Sequence, residues 1–231
     1  MTSALYSVDD DLTEATTRLG VRFIDGAGNV GEIAWVDLQP EPQAGEGRLP
    51  AAVWTAPPTA QLPVDANAPE KPSSDFSLSL MQGQSRGFQV MVKPNVDLTD
   101  VRVSVGPLKH ENENSYIDPY WVAYHFVDYV KLEANSVATP PDELVWKAPA
   151  EYPDALSDDR ARDLPAGRLQ PIYIRVTAKN GDRCRPGLYT GTGTVWSPQG
   201  SASFTLSVRV EPVALPDKPR LKFVYWSSWD D

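Results

Sequence analysis

The chain holds one cysteine, Cys184, and two histidines, His110 and His125, in 231 residues. One cysteine excludes an internal disulfide and any thiolate metal cluster. Two histidines are too few for a three-histidine zinc site, and no His-Glu-x-x-His sequence occurs. A mixed carboxylate–histidine site stays open. Flanked by Arg183 and Arg185, Cys184 is either a thiol with a pKa lowered by those cations or a turn residue without a role. No apolar run approaches the roughly 18 residues of a membrane helix, so no membrane contact is expected. Met1-Thr-Ser-Ala-Leu lacks the basic and apolar regions of a secretory leader. The protein is expected in the cytoplasm if Met1 is the native start, and outside the cell if a leader has been removed. Basic patches are missing as well. The net charge is −10, and residues 1–70 alone hold eleven acidic and three basic residues. Such a surface repels phosphate backbones, so nucleic acid is excluded as an expected partner.

Helical signal is scarce too. With 22 prolines and 15 glycines, long helices are excluded and short strands joined by rigid turns are favoured. The one helical stretch, Asp9 to Leu19, has Asp9, Asp10 and Asp11 as candidate caps. Val21 and Phe23, then Asp25-Gly-Ala-Gly-Asn29, then Ile33 to Val36 read as a hairpin with a long loop. Residues 40–75 carry eight prolines, and only Leu49 to Trp54 suits a strand. That segment is either a wrapping strap or a linker.

From Phe76 the alternation is strong. Phe76, Leu78 and Leu80 share one parity, as do Phe88, Val90 and Val92, and Val101, Val103 and Val105. Trp121 to Leu132 alternates, with a parity change between Phe126 and Val127 that signals either a bulge or a strand covered on both faces. Residues 133–169 show little periodicity. Ile172, Ile174 and Val176 resume it; Gly187 to Trp196 returns, and Phe204, Leu206, Val208 and Val210 close the series. Eight or nine short strands without helices between them predict an all-β fold: a two-layer antiparallel β-sandwich, immunoglobulin-like or jelly-roll-like. The expected organisation is an N-terminal hairpin segment (1–39), a Pro-rich strap or linker (40–75), the sandwich (76–218) and a C-terminal segment (219–231). The expected core includes Phe88, Val90, Val103, Ile174, Val176, Phe204, Leu206 and Val208.

Six segments, in order, carry a resemblance. They are Ser85-Arg-Gly-Phe-Gln-Val-Met-Val with Leu98-Thr-Asp-Val-Arg-Val-Ser-Val; Val127-Asp-Tyr-Val; Glu151-Tyr-Pro-Asp-Ala-Leu; Leu169-Gln-Pro-Ile-Tyr-Ile-Arg-Val; Arg185-Pro-Gly-Leu-Tyr-Thr-Gly-Thr-Gly-Thr-Val; and Phe204-Thr-Leu-Ser-Val-Arg-Val with Leu215-Pro-Asp-Lys-Pro-Arg-Leu. Together, across residues 76–221, they resemble the N-terminal β-sandwich domain of glycoside hydrolase family 123-like proteins. The resemblance implies a sandwich that precedes a catalytic (β/α)8 barrel. In the characterised branch an adjacent Asp–Glu pair in that barrel supports substrate-assisted hydrolysis of N-acetylhexosaminides. The matched segments stop at the point where that barrel would start, so they carry over no catalytic residue.

The residues themselves frame no acid–base pair. Asp9-Asp10-Asp11, Asp142-Glu143, Asp158-Asp159 and Asp230-Asp231 fall in predicted loops or at a terminus, without an apolar setting to raise one pKa. Gly26-Ala-Gly28 lacks a following helix and Gly191-Thr-Gly193 reads as strand, so neither is a phosphate loop. A calcium site in the 152–163 segment fits no Ca²⁺-loop spacing. No catalytic residue, metal ligand or cofactor is expected.

Aromatic residues are plentiful, with seven Trp and nine Tyr. Tyr116-Ile-Asp-Pro-Tyr120-Trp121 puts three in six residues of a polar-flanked loop, and Tyr225, Trp226 and Trp229 crowd the C-terminal segment. Aromatic faces suit either a sugar ring or a protein interface, and Trp121 equally suits a plug at the end of the sandwich. The favoured expectation is a non-catalytic accessory domain or subunit bracing a catalytic barrel domain or subunit. Self-association through the C-terminal aromatics is a second arrangement, and a free-standing carbohydrate-binding module is the alternative reading.

Overall fold

A computed structural model describes residues 18–21, 31–32, 34–37, 43–144, 146–181 and 184–216. The chain forms two compact units, Met1–Gln43 and Ala44–Asp231. In the first, β1 (Arg18–Val21) pairs antiparallel with β2 (Ala34–Asp37), so the expected hairpin is present with its first strand three residues earlier. Arg18 and Leu19, the end of the expected helix, belong to that strand; residues 9–17 lie outside the described residues.

The second unit is a two-layer sandwich. Its strands are β3 (Ala51–Ala56), β4 (Asp75–Gln82), β5 (Ser85–Pro94), β6 (Leu98–Val105), β7 (Leu108–His110), β8 (Tyr116–Ile117), β9 (Val122–Leu132), β10 (Ala150–Ser157), β11 (Arg162–Leu164), β12 (Gln170–Thr177), β13 (Gly187–Ser197) and β14 (Gly200–Ala214). One sheet has the order β10-β9-β12-β5-β3; the other runs β11-β6-β13-β14-β4, with β7 on β13 and β8 on β7. The all-β sandwich expected from the alternation is the observed fold. Among the described strands pairing is antiparallel except between β4 and β14, which run parallel.

Between the sheets, period-2 side chains meet face to face. All eight residues expected in the core are buried. Phe88 stacks on Phe76 at 4.7 Å between centroids and meets Phe204 edge-on at 6.0 Å. Gly193 sits opposite Phe204 in the β13–β14 register, and a Cβ there would lie 2.0 Å from the Phe204 ring. The Gly191-Thr-Gly193 run is therefore strand, with glycines where the side chains of Leu108 and Phe204 lie against it.

The outer face of β5 is buried as well. Residues 57–68 lie across it, and Trp54, Ala56, Met91 and Leu169 form a second apolar cluster under Leu62 and neighbouring alanines. Gln89 donates to the carbonyls of Pro57, Pro58 and Ala60. The Lys93 ammonium donates to the carbonyls of Asp65 and Ala66 and to Asn67 Oδ1, and the Tyr129 hydroxyl donates to the Leu62 carbonyl. Proline leaves carbonyls without matching N–H groups, so three side chains supply the missing donors.

Two strands lie in the stretch expected to be irregular. β10 carries Pro153 and no alternation, and it forms an edge of its sheet, where a missing N–H costs no ladder bond. The register shift occurs there, between Pro153 and Ala155, rather than in β9. In β9, Phe126 and Val127 are both buried, so that strand is covered on both faces at this point.

Candidate functional site

One end of the sandwich collects most of the unusual side chains. Val176 on β12 is level with Val122 on β9 and Arg86 on β5. Just beyond it the Lys179 ammonium sits 3.6 Å above the Trp121 ring centroid, a cation–π contact. Gln82 at the end of β4 donates its amide to the carbonyls of Gly181 and Cys184. The Leu215 N–H donates to the Gln82 carbonyl, and Asn180 donates to that of Leu215 at 3.4 Å. The chain therefore leaves β14 at the end that carries Trp121.

Tyr120 and Trp121 stand on a single 3-10 turn, Pro119–Trp121, capped by Asp118, whose Oδ1 accepts from the Tyr120 N–H at 2.8 Å. Proline at the first position and an Asp cap fix such a turn. Trp121 is half-buried against the core, while Tyr120 is 82% exposed and meets it edge-on at 5.0 Å.

Beside this turn the β7–β8 hairpin is held from below. Gly187 has φ +146°, and a Cβ on it would lie 2.0 Å from His110 Nε2. That absence lets the His110 ring settle against β13. His110 Nδ1 accepts from the N–H groups of Asn112 and Glu113, so the ring proton belongs on Nε2, which donates to the Pro186 carbonyl at 3.1 Å. His110 is thus a structural keystone of the 111–115 turn, not a metal ligand. Tyr189, fully buried, meets the imidazole edge-on, donates to the Arg185 carbonyl at 2.8 Å and shares a hydrogen bond with Ser115. Burial pushes its phenol up to about 12, against the opposing pull of the Ser115 bond. Cys184 is buried too, and burial raises its thiol rather than the neighbouring cations lowering it. An ion pair from Arg185 to Glu113 at 2.9 Å ties the turn down from outside.

On this frame Tyr116 and Lys109 face each other across β7 and β8, a cross-strand pair. They line a cavity of about 430 Å³ together with Pro107, His110, Asn114 and Ser115. Tyr116 is 53% exposed.

A second cavity, about 420 Å³, lies at the open edge of the sandwich beside Asp128, Tyr129, Arg162, Arg168 and Gln170. Its charges are already matched. Arg162 bonds Asp128 and Asp159 and lies 5.1 Å from the Phe126 ring centroid, and Arg168 bonds Glu151. The bond from Arg162 holds the exposed Asp159 carboxyl below its usual range. Burial pushes the Tyr129 phenol well above its ordinary value. Gln170 donates to the carbonyls of Val127 and Pro171, standing in for the N–H that Pro171 lacks. This cavity is a cross-sheet staple.

Of the carboxylates weighed as acid–base candidates, those among the described residues do not converge, and Asp9, Asp10, Asp11, Asp230 and Asp231 lie outside the described residues. Asp142 and Glu143 are exposed in a turn, and Asp158 pairs with His125 at 3.2 Å. In the 152–163 segment Asp159 bonds Arg162, Asp158 pairs with His125 and Asp163 accepts from the Asp100 N–H, and among the described residues no group of three metal-ligating side chains comes together. Tyr116, Tyr120 and Trp121 share one end of the sandwich; Tyr225, Trp226 and Trp229 lie outside the described residues. Lys109 and Asn114 escaped the sequence reading. The polar run Glu111-Asn-Glu-Asn-Ser115 is a turn signal there, but nothing in it shows which side chains face a cavity.

No protein-family model and no curated protein matches the chain. Among solved structures, a family 123 glycoside hydrolase from Clostridium perfringens, studied for glycolipid glycan hydrolysis, shares the fold with a TM-score of 0.57 and 12% identity. The likeness covers 72% of this chain and 28% of that one, so the chain spans little more than a quarter of that enzyme's length. AvmM, which catalyses macrocyclization in alchivemycin A biosynthesis, matches over 74% of this chain and 94% of its own at a TM-score of 0.35 and 7% identity, too loosely to carry an argument.

Proposed function

We propose that this chain is a non-catalytic accessory β-sandwich of a glycoside hydrolase-like protein, bracing a catalytic (β/α)8 barrel carried by the same polypeptide or by a partner subunit. The observation that carries the reading is the fold likeness over 72% of this chain to 28% of a family 123 glycoside hydrolase, which leaves most of that enzyme without a counterpart here. The motif series across residues 76–221 points the same way. The bracing surface is the end holding Tyr120 and Trp121, from which the chain exits at Leu215. An exposed aromatic on a capped turn loses little conformational freedom when covered, which suits a docking contact.

The test is isolation of the native protein from its source, followed by peptide mapping. A (β/α)8 glycosidase in the same polypeptide, or bound to it and released by Tyr120→Glu, is the expected result. A native protein that is a free monomer, with no barrel in its own chain, overturns the proposal.

A second reading, a carbohydrate-binding module, is favoured by one observation: the cavity beside Tyr116.

A further inference from the structure

We propose that the β7–β8 hairpin carries a binding site for a single neutral pyranose ring, stacked on Tyr116 and hydrogen-bonded by Lys109 and Asn114. The inference rests on the second reading above and is independent of the bracing contact.

Three observations carry it. First, the site is built before any ligand arrives. The turn from His110 to Ser115 is exposed and polar, a composition that normally gives a mobile loop. Here it is fixed by both nitrogens of His110, by the Tyr189–Ser115 bond and by the Arg185–Glu113 ion pair. The Glu111 N–H also donates to the Leu188 carbonyl. Such bracing spares a ligand the cost of ordering the loop.

Second, the groups facing outward have nothing to hold. Among the described residues the side chains of Lys109, Asn114 and Tyr116 make no hydrogen bond or ion pair, while Glu113, Ser115 and His110 next to them are all engaged. The inner groups lock the frame, and the outer ones are left for something else.

Third, the chemistry of those outer groups selects among ligands. The cavity, about 430 Å³, lies toward the small end of sites that take small molecules, roughly 300–1,000 Å³. Its lining joins one aromatic side chain to the ammonium of Lys109 and the amide of Asn114. A pyranose matches that layout, with one C–H face for the phenol ring and equatorial hydroxyls for the amide and the ammonium. Anionic ligands fit poorly. Lys109 is one positive charge, Glu111 and Glu113 stand on the same turn, and the chain carries a net −10.

The experiment is saturation-transfer NMR on the full chain with methyl pyranosides of glucose, galactose, N-acetylglucosamine and N-acetylgalactosamine at tens of millimolar. Glucuronate and adenosine serve as anionic and flat-aromatic controls. At least one neutral pyranoside should receive saturation, strongest on the protons of one ring face. Tyr116→Ala should weaken it by about tenfold or more, the scale of one lost aromatic contact, and Tyr116→Phe should leave it nearly intact. Asn114→Ala should weaken it less, and Tyr120→Ala not at all. Because Tyr116 is half-exposed, its melting curve should stay close to that of the parent; if it does not, Asn114→Ala decides. No transfer to any neutral pyranoside overturns the proposal, as does transfer that survives Tyr116→Ala or adenosine binding more tightly than every sugar. Failure of the bracing reading would appear at Tyr120 and in the native polypeptide, and would leave these results untouched.

Discussion

The contact between Gly193 and Phe204 sets a packing test with an unusual sign. A Cβ at Gly193 would lie 2.0 Å from Phe204 Cζ, and the other two nearest atoms belong to the same ring. Gly193 does not occupy the left-handed region, so an alanine there suffers from the ring and not from its own backbone. Gly193→Ala alone should cost about 1–3 kcal/mol by overpacking. Phe204→Ala alone removes a ring that is 1% exposed and edge-on to Phe88, and should cost about 3–5 kcal/mol through the cavity it leaves. In the double variant the new methyl points into the space the ring vacated. Adding Gly193→Ala to the Phe204→Ala chain should then be neutral or favourable by a few tenths of a kcal/mol, since alanine loses less backbone entropy in a strand than glycine. The coupling should be about 1–3 kcal/mol in favour of the double variant. Equilibrium urea unfolding of the four proteins measures it, with the m-values checked for constancy. Additivity within about 0.5 kcal/mol would refute the contact.

Gly187→Ala should destabilise the fold by at least about 1–3 kcal/mol, because the methyl meets the His110 ring and φ there is +146°; an unchanged melting curve would remove His110 from its keystone role. Gln89→Ala should lower stability by about 1–3 kcal/mol and speed proteolysis within residues 57–68, since three carbonyls lose their donor; unchanged cleavage would show that the apolar cluster alone holds the strap. Tyr189 has a folded pKa raised to about 12, so its contribution is complete below the ordinary phenol value near 10 and is lost as pH rises through about 12. Unfolding curves between those limits should show the decline, and Tyr189→Phe should reduce it, leaving the share due to Tyr129 and Cys184. The chain by itself should not hydrolyse aryl N-acetylhexosaminides; turnover abolished by Asp142→Asn or Glu143→Gln would reverse the non-catalytic reading.

The strands legible in the sequence are those with one wet face and one dry face. Val101, Val103 and Val105 alternate because β6 has such faces, and the same holds for Ile172 to Val176. β10 was illegible for the opposite reason. It is an edge strand with Pro153 inside it, kept in place by pairing with β9 and by the bulge that follows the proline. The covering of β5 on both sides also left its trace, since Phe88-Gln-Val-Met-Val is apolar almost throughout. Its single polar member, Gln89, is the donor that the strap needs. The candidate site was half visible. An exposed tyrosine in a polar segment can be picked out by type, and Tyr116 and Tyr120 were. Their surroundings separate only with the neighbours in place: Tyr116 opposite Lys109 over a cavity, Tyr120 beside a tryptophan packed against the core.

That separation makes the two readings compatible. Bracing needs a surface that can be covered, and sugar binding needs one that stays open. Tyr120, on the 3-10 turn, is joined through Trp121 and Lys179 to the segment by which the chain leaves the sandwich at Leu215. Tyr116 hangs instead from β13, through β7, Gly187 and His110. A partner seated on Tyr120 would thus load the β4–β14 side of the end, while a ring stacked on Tyr116 would load the β7–β13 side. Tyr120→Glu should therefore abolish barrel contact and spare pyranose binding, and Tyr116→Ala should do the reverse. Loss of both by either change would mean that the end of the sandwich works as one surface, and that Tyr116 and Tyr120 do not have separate roles.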